Sequence, residues 1–181
     1  MPRLILIRHC QSTAQHPPAP LTQAGARAAE ALAERLAELA PDAVYSSPYE
    51  RAHATVRPFA RRAGLPVTLD ERLRERLLSD QDRDDWLDHI QRSFDDFDHR
   101  APGGETMRET QTRALAALAE IAGAGHRLPA VASHGGLISS VLRAMDPAFG
   151  FEGWRGLRNP DLFDVELSAA GRPVGYVRLE G

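Results

Sequence analysis

The sequence predicts an α/β fold, a three-layer α/β/α sandwich around a mostly parallel central sheet. Two patterns carry this expectation. Short apolar runs alternate with longer segments of helical periodicity, and elements in that order pack as a sheet covered on both faces. Two of the apolar runs, residues 3–8 and 128–133, also end abruptly in Arg8-His9 and His134-Gly135-Gly136. In an open α/β sheet the carboxyl ends of the strands share one crevice, so these endings converge on one pocket.

The elements follow in order. Strands are expected at 3–8, 42–46, 66–69, 129–133 and 162–167, with an edge strand at 173–179. Leu32, Leu36 and Leu39 recur at helical spacing after a Thr22 cap, and Pro41 marks the stop. Val44-Tyr45-Ser46-Ser47-Pro48 ends a strand, and Tyr49 to Thr55 opens the next helix, carrying Arg51. Trp86, Ile90, Phe94 and Phe97 repeat as a helix face, with Asp80, Asp82, Asp84 and Asp85 placed for its N-terminus. Thr106 and Glu109 form a capping-box pattern ahead of Leu115, Leu118 and Ile121. Leu137, Ile138, Val141 and Leu142 continue from Gly135-Gly136 as a further apolar segment.

At 181 residues the chain suits a single domain, 1–181, able to bury roughly 70% of its unfolded surface. A net charge of −3 leaves no footprint for nucleic acid, although Arg72, Arg74 and Arg76 would make a local basic rim for an anionic substrate. All 22 basic residues are arginine, so Schiff-base chemistry and the lysine of an ATP-binding phosphate loop are excluded. With Cys10 as the only cysteine, no internal disulfide and no multi-cysteine zinc site can form. No basic start leads into a long apolar stretch, and no run of about 20 apolar residues exists, so a cytoplasmic protein without membrane association is expected.

The convergent residues suit phosphate chemistry. An imidazole held through one ring nitrogen can attack phosphorus with the other, which makes His9 the candidate nucleophile. The guanidinium groups of Arg8 and Arg51 match phosphate oxygens and stay charged. His134 would add charge stabilisation, and the amides of Gly135 and Gly136 would stand free at a helix N-terminus to bind the anion. Glu75, in the run Asp70-Glu71-Arg72-Leu73-Arg74-Glu75, is the candidate acid for the leaving oxygen and base for the attacking water, with Glu71 as its rival.

Taken together, RHCQST, PLTQAG, SSPYERAHAT, LRE and ASHGG, in this order, resemble the histidine phosphatase superfamily, branch 1, with its phosphoglycerate mutase-like fold. The resemblance implies a phosphate pocket of Arg8, His9, Arg51 and His134, a phosphorylated His9, and Glu75 as proton donor. It also puts Gln15 at the phosphate, where the family usually has Asn. Cys10 stands in place of the usual Gly, Ala28 in place of Gln, and Arg76-Leu77-Leu78-Ser79-Asp80 in place of a glycine and tryptophan run.

The expected activity is that of a metal-independent phosphomonoesterase using no cofactor and acting on a small phosphorylated metabolite. Residues 77–104 are the expected lid, residues 15–20 a stiff wall beside the nucleophile, and Arg158-Asn159-Pro160-Asp161 a segment that could approach the site but reads better as a plain turn. Two alternatives within this reading are a phosphoglycerate mutase-type phosphoryl transferase and a non-catalytic phospho-ligand-binding module. A metal hydrolase is disfavoured by the cationic pocket and the lack of a zinc-spaced histidine pair. A cysteine phosphatase would need an arginine six residues after Cys10, where His16 stands. Cys10 beside a basic cluster predicts instead a lowered thiol pKa and sensitivity to oxidants. His16, His53, His89, His99 and His126 read as ordinary surface or helix residues. Natural substrate and oligomeric state are not legible in the sequence.

Overall fold

Arg3–Arg8, the first strand (β1), sends alternate side chains to opposite faces, and both faces are buried. Leu4 and Leu6 join one apolar cluster and Ile5 and Ile7 another, all four fully buried. Each such side chain contributes about 1.5–3 kcal/mol by leaving water. A strand apolar on both faces belongs at the centre of a sheet covered by helices on either side.

The computed structural model describes residues 1–180. The further strands are β2 (Ala43–Ser46), β3 (Val67–Leu69), β4 (Pro129–Ser133), β5 (Asp161–Leu167) and β6 (Pro173–Leu179). They form one sheet in the order β3-β2-β4-β1-β5-β6. The first four in that order are parallel, while β5 runs antiparallel to β1 and β6 antiparallel to β5. The expected strands are present, with ends that differ by at most a residue.

Helices α1 (Gln23–Leu39) and α2 (Glu50–Ala63) cover one face, packing Leu32, Leu36, Val56 and Phe59 on Ile5 and Ile7. Helices α4 (Met107–Gly123) and α5 (Gly135–Met145) cover the other, where Leu118, Ile121, Leu137 and Val141 meet Leu4, Leu6 and Val131. The caps follow the sequence: the Thr22 hydroxyl accepts from the Gly25 amide, and Thr106 and Glu109 make a complete capping box. Gly25 is required by packing, because a Cβ there would stand 2.1 Å from the Gln11 carbonyl oxygen.

Between α2 and α4 the chain departs from expectation. Helix α3 spans Trp86–Asp95, so Phe97 lies beyond it, and Asp80, Asp82 and Asp84 lie before it. Asp85 precedes the helix but does not cap it with its side chain; its carboxylate instead takes a forked pair from Arg83 and approaches His89 at 3.3 Å. A short helix α6 (Phe151–Arg155), for which the sequence offers no clear periodicity, packs against α3. Among the described residues no helix is long and apolar enough to cross a membrane.

Candidate active site

Strand register assembles the site. Arg8 pairs with Ser133 across the parallel β1–β4 ladder, so the next residues, His9 and His134, leave the sheet side by side. The His9 amide donates to the Ser133 carbonyl at 3.1 Å, and the two imidazole centroids lie 5.1 Å apart. The neighbouring strand β2 ends at Ser46, opposite Ala132, and delivers Ser47 and then Arg51 in the first turn of α2.

His9 is fixed through one ring nitrogen. Its Nδ1 lies 2.7 Å from the Cys10 carbonyl, an acceptor only, so Nδ1 carries the proton and Nε2 the lone pair. Arg51 donates to that lone pair through Nε at 3.2 Å. Burial pushes the His9 pKa down to about 4, with the charges of Arg51 and Arg8 acting in the same direction and the Cys10 carbonyl opposing them. The imidazole is therefore neutral near pH 7, the state in which it is nucleophilic.

The two guanidinium groups are held by carbonyls and not by carboxylates. Arg51, fully buried, donates through Nη1 to the carbonyls of Gln15 at 2.8 Å and His16 at 3.2 Å, and stacks over the Tyr49 ring. Arg8 donates through Nη1 to the Leu157 carbonyl at 2.9 Å, and its buried Nε has no partner. Burial is the main cause that lowers both pKa values. Two cations without a carboxylate in contact make a strong anion-binding element.

His134 is fully buried, and burial followed by the Arg51 charge holds its pKa well below the usual histidine range. The Ser47 hydroxyl accepts from the Tyr49 amide at 3.2 Å and lies 2.7 Å from His134 Nε2. The other ring nitrogen of His134, Nδ1, is buried without a partner.

Glu75 corrects one expectation. Its carboxylate accepts from the amides of Arg76 at 2.8 Å and of Gly136 and Leu137 at 3.1 Å each, so it occupies the N-terminus of α5. The amide of Gly136 is therefore taken by Glu75 and is not free for phosphate. Gly135 makes room for Arg8, since a Cβ there would lie 3.1 Å from Arg8 Nε. Glu71 opens a 3₁₀ turn (Glu71–Leu73) and is exposed, away from the cavity that Glu75 lines.

The segment carrying Glu75 is pinned by residues that the sequence did not single out. Arg113 of α4 donates to the carbonyls of Arg72, Arg74 and Glu75 and pairs with Glu105 at 2.6 Å. The Ser133 hydroxyl donates to the Leu73 carbonyl at 2.7 Å. The expected basic rim is absent. Arg72 pairs with Asp70 and Glu120, Arg74 approaches Glu105, and Arg76 is buried, donating to Ser93 and the Glu105 carbonyl.

Two further readings change. Cys10 is fully buried, and burial pushes its thiol up to about 11, so it lacks the reactive thiolate that its basic neighbours suggested. Residues 158–161 are not a plain turn but take the other reading, approach to the site. Asn159 donates to the His9 carbonyl at 2.7 Å, and the Leu157 carbonyl anchors Arg8. Among the other histidines, His89 and His99 bond each other at 2.8 Å, His126 bonds Tyr45, and His16 lines the cavity.

The cavity above these groups has a volume of about 920 Å³. Arg8, Arg51 and Glu75 form its floor, and His9 is bonded to Arg51. Gln15, His16 and Pro17 line it, as expected of the stiff loop, and residues from 77 to 94 contribute a further wall. Among the described residues no three histidine, cysteine or acidic side chains gather as a metal-ligand set.

The family model of the histidine phosphatase superfamily (branch 1) matches residues 4–171. The chain belongs to that superfamily and is a phosphoric monoester hydrolase by class. A candidate phosphoserine phosphatase of Hydrogenobacter thermophilus is 24% identical over 196 residues, covering 100% of this chain and 91% of the relative. Among solved structures, the mycobacterial glucosyl-3-phosphoglycerate phosphatase in complex with inorganic phosphate superposes with a TM-score of 0.79 at 24% identity, over 99% of this chain and 96% of that one. The α-ribazole phosphatase of Shigella flexneri gives 0.75 at 22% identity, over 98% and 96%. Both share the phosphoglycerate mutase-like fold.

Proposed function

We propose that the chain hydrolyses a small phosphorylated metabolite without a metal ion, through a phosphohistidine on His9. The observation that carries this is a neutral imidazole whose lone-pair nitrogen faces a guanidinium, with a second guanidinium at the same floor and no carboxylate bonded to either.

In the first step His9 Nε2 forms a bond to phosphorus as the bond to the alcohol oxygen breaks, and protonated Glu75 gives that oxygen its proton. Arg8, Arg51 and His134 stabilise the equatorial oxygens, with Gln15 at the edge of the phosphate. As His9 gives up its lone pair it becomes cationic in the ring, and the Cys10 carbonyl bonded to Nδ1–H stabilises that charge. In the second step the Glu75 carboxylate takes a proton from water as water attacks phosphorus, and the N–P bond breaks to release phosphate.

Hydrolysis is favoured over transfer to a second substrate because the cavity rim is open. Gln15, Pro17, Leu77 and Trp86 are exposed, so water reaches the floor. Residues 77–104 act as the lid that selects the alcohol.

The test is hydrolysis of para-nitrophenyl phosphate with EDTA present, comparing the native chain with His9→Ala. The proposal requires turnover by the native chain and loss in the variant. Activity that disappears on chelation and returns with added metal would overturn it.

A further inference from the structure

Beyond the floor, the cavity changes character. The wall contributed by residues 77–94 carries Leu77, Leu78, Trp86, Ile90 and Phe94, and Trp154 of α6 faces the same space. Leu77 and Trp86 are 47% and 48% exposed, unusual for such side chains beside a catalytic floor. The wall is a formed surface. Phe94 packs on Phe151 at 6.5 Å between centroids, and Phe151 stacks on Trp154 at 5.6 Å with an interplanar angle of 20°, which joins α3 to α6.

The polar groups on this wall are already committed. Ser79 donates to the Pro102 carbonyl, and Arg83 makes its forked pair with Asp85. Arg76 donates to Ser93 and the Glu105 carbonyl, and its remaining Nη2 is sealed from solvent. Gln81 and Asp82 remain, and the second is acidic. An alcohol bearing a carboxylate would have to compete with Asp85 for Arg83, and a polyol would meet few uncommitted donors on this wall for its hydroxyls. A flat apolar body would cover exposed tryptophan and leucine.

We propose that the alcohol released by this enzyme carries an aromatic or heteroaromatic body, bound against the apolar wall that includes Trp86 and Trp154, and that esters of small polyols and of carboxylate-bearing alcohols such as serine are poor substrates. This rests on the phosphatase reading and adds the chemical class of the leaving group. The volume of about 920 Å³ is far more than a phosphoryl group fills, and leaves room for a ring system beyond it.

The test uses primary-alcohol esters, so that the leaving groups differ in shape and not in acidity: 1-naphthylmethyl phosphate, ethyl phosphate and O-phosphoserine. Expected is a kcat/KM for the naphthylmethyl ester at least about tenfold above either other ester, with Trp86→Ala narrowing that ratio by about tenfold. Phosphoserine turned over as well as the naphthylmethyl ester, or a ratio unchanged in the variant, would overturn the proposal. Calorimetric binding of 1-naphthylmethylphosphonate against ethylphosphonate gives a readout independent of turnover. If no ester is hydrolysed, including para-nitrophenyl phosphate, the phosphatase reading fails. Equal binding of the two phosphonates then sinks the aromatic subsite, and a tenfold preference for the naphthyl compound upholds it.

Discussion

Arg51 covers the nitrogen with which His9 would attack: its Nε donates to His9 Nε2 at 3.2 Å, while its Nη1 is tied to the carbonyls of Gln15 and His16. A phosphate oxygen arriving on the floor competes for the same Nε–H, and its charge makes it the better acceptor. In the proposed mechanism, substrate would thereby uncover the nucleophile. Arg51→Lys keeps the charge but loses the planar fork, and should lower kcat/KM for para-nitrophenyl phosphate by about a hundredfold or more. Steady-state kinetics check this, and near-native activity in the variant would contradict it.

Glu75 should matter in proportion to the difficulty of the leaving group. Glu75→Gln cannot protonate an alkoxide, so hydrolysis of an alkyl phosphate should fall by about 10²–10⁴-fold. The nitrophenolate of para-nitrophenyl phosphate leaves without help, and its first step should suffer much less. A burst of nitrophenol followed by slow turnover is the expected trace. Equal loss in the first step with both esters would assign the proton to another group.

The buried imidazoles make stability depend on pH. Unfolded, His9 takes up a proton near pH 6.5, but in the fold it does so only near 4. The native state is thus fully favoured above about pH 6.5 and loses stability as pH falls towards 4, by about 3 kcal/mol at the limit. His134 adds a loss of the same sign. His9→Asn should remove the His9 part, so that between pH 7 and pH 4.5 the native chain loses about 2 kcal/mol more than the variant in urea unfolding. Parallel losses would contradict the buried neutral state.

Cys10 should be inert. A thiol that is fully buried and raised to about 11 offers almost no thiolate at neutral pH. Hydrogen peroxide should leave activity unchanged, and a thiol reagent should label the chain only in denaturant. Inactivation of the native chain with protection in Cys10→Ser would show the opposite.

Arg113 does not line the cavity, yet it fixes the segment that carries Glu75. Removing it leaves the carbonyls of Arg72 and Arg74 and the half-buried Glu105 carboxylate without their donor. Arg113→Met should cost about 3 kcal/mol in urea unfolding. It should also slow alkyl esters more than aryl ones, because Glu75 loses its position.

Much of this was legible in the sequence, and the reasons are local. Apolar runs ending in Arg8-His9 and Ser133-His134 define strands whose ends must meet, and Thr22 and the Thr106–Glu109 pair are caps in contact with their own helices. What escaped depends on contacts distant along the chain. The amides of Gly136 and Leu137 look free until Glu75, sixty-one residues earlier for Gly136, folds onto them. Arg72, Arg74 and Arg76 look like one basic rim until each finds its own partner. Asn159 reads as a turn residue because nothing nearby in sequence shows that it will bond the His9 carbonyl. Cys10 misled because neighbours in sequence suggested charge, whereas burial decides its pKa.

The central claim is the bond between phosphorus and His9 Nε2. The most direct measurement is rapid quenching of the enzyme with a phosphorus-labelled ester, followed by mapping of the label. A phosphohistidine is predicted: stable to alkali, labile to acid, on the peptide containing His9, and absent from His9→Ala. Turnover with no protein-bound label at any quench time, or label on another residue, would contradict the account.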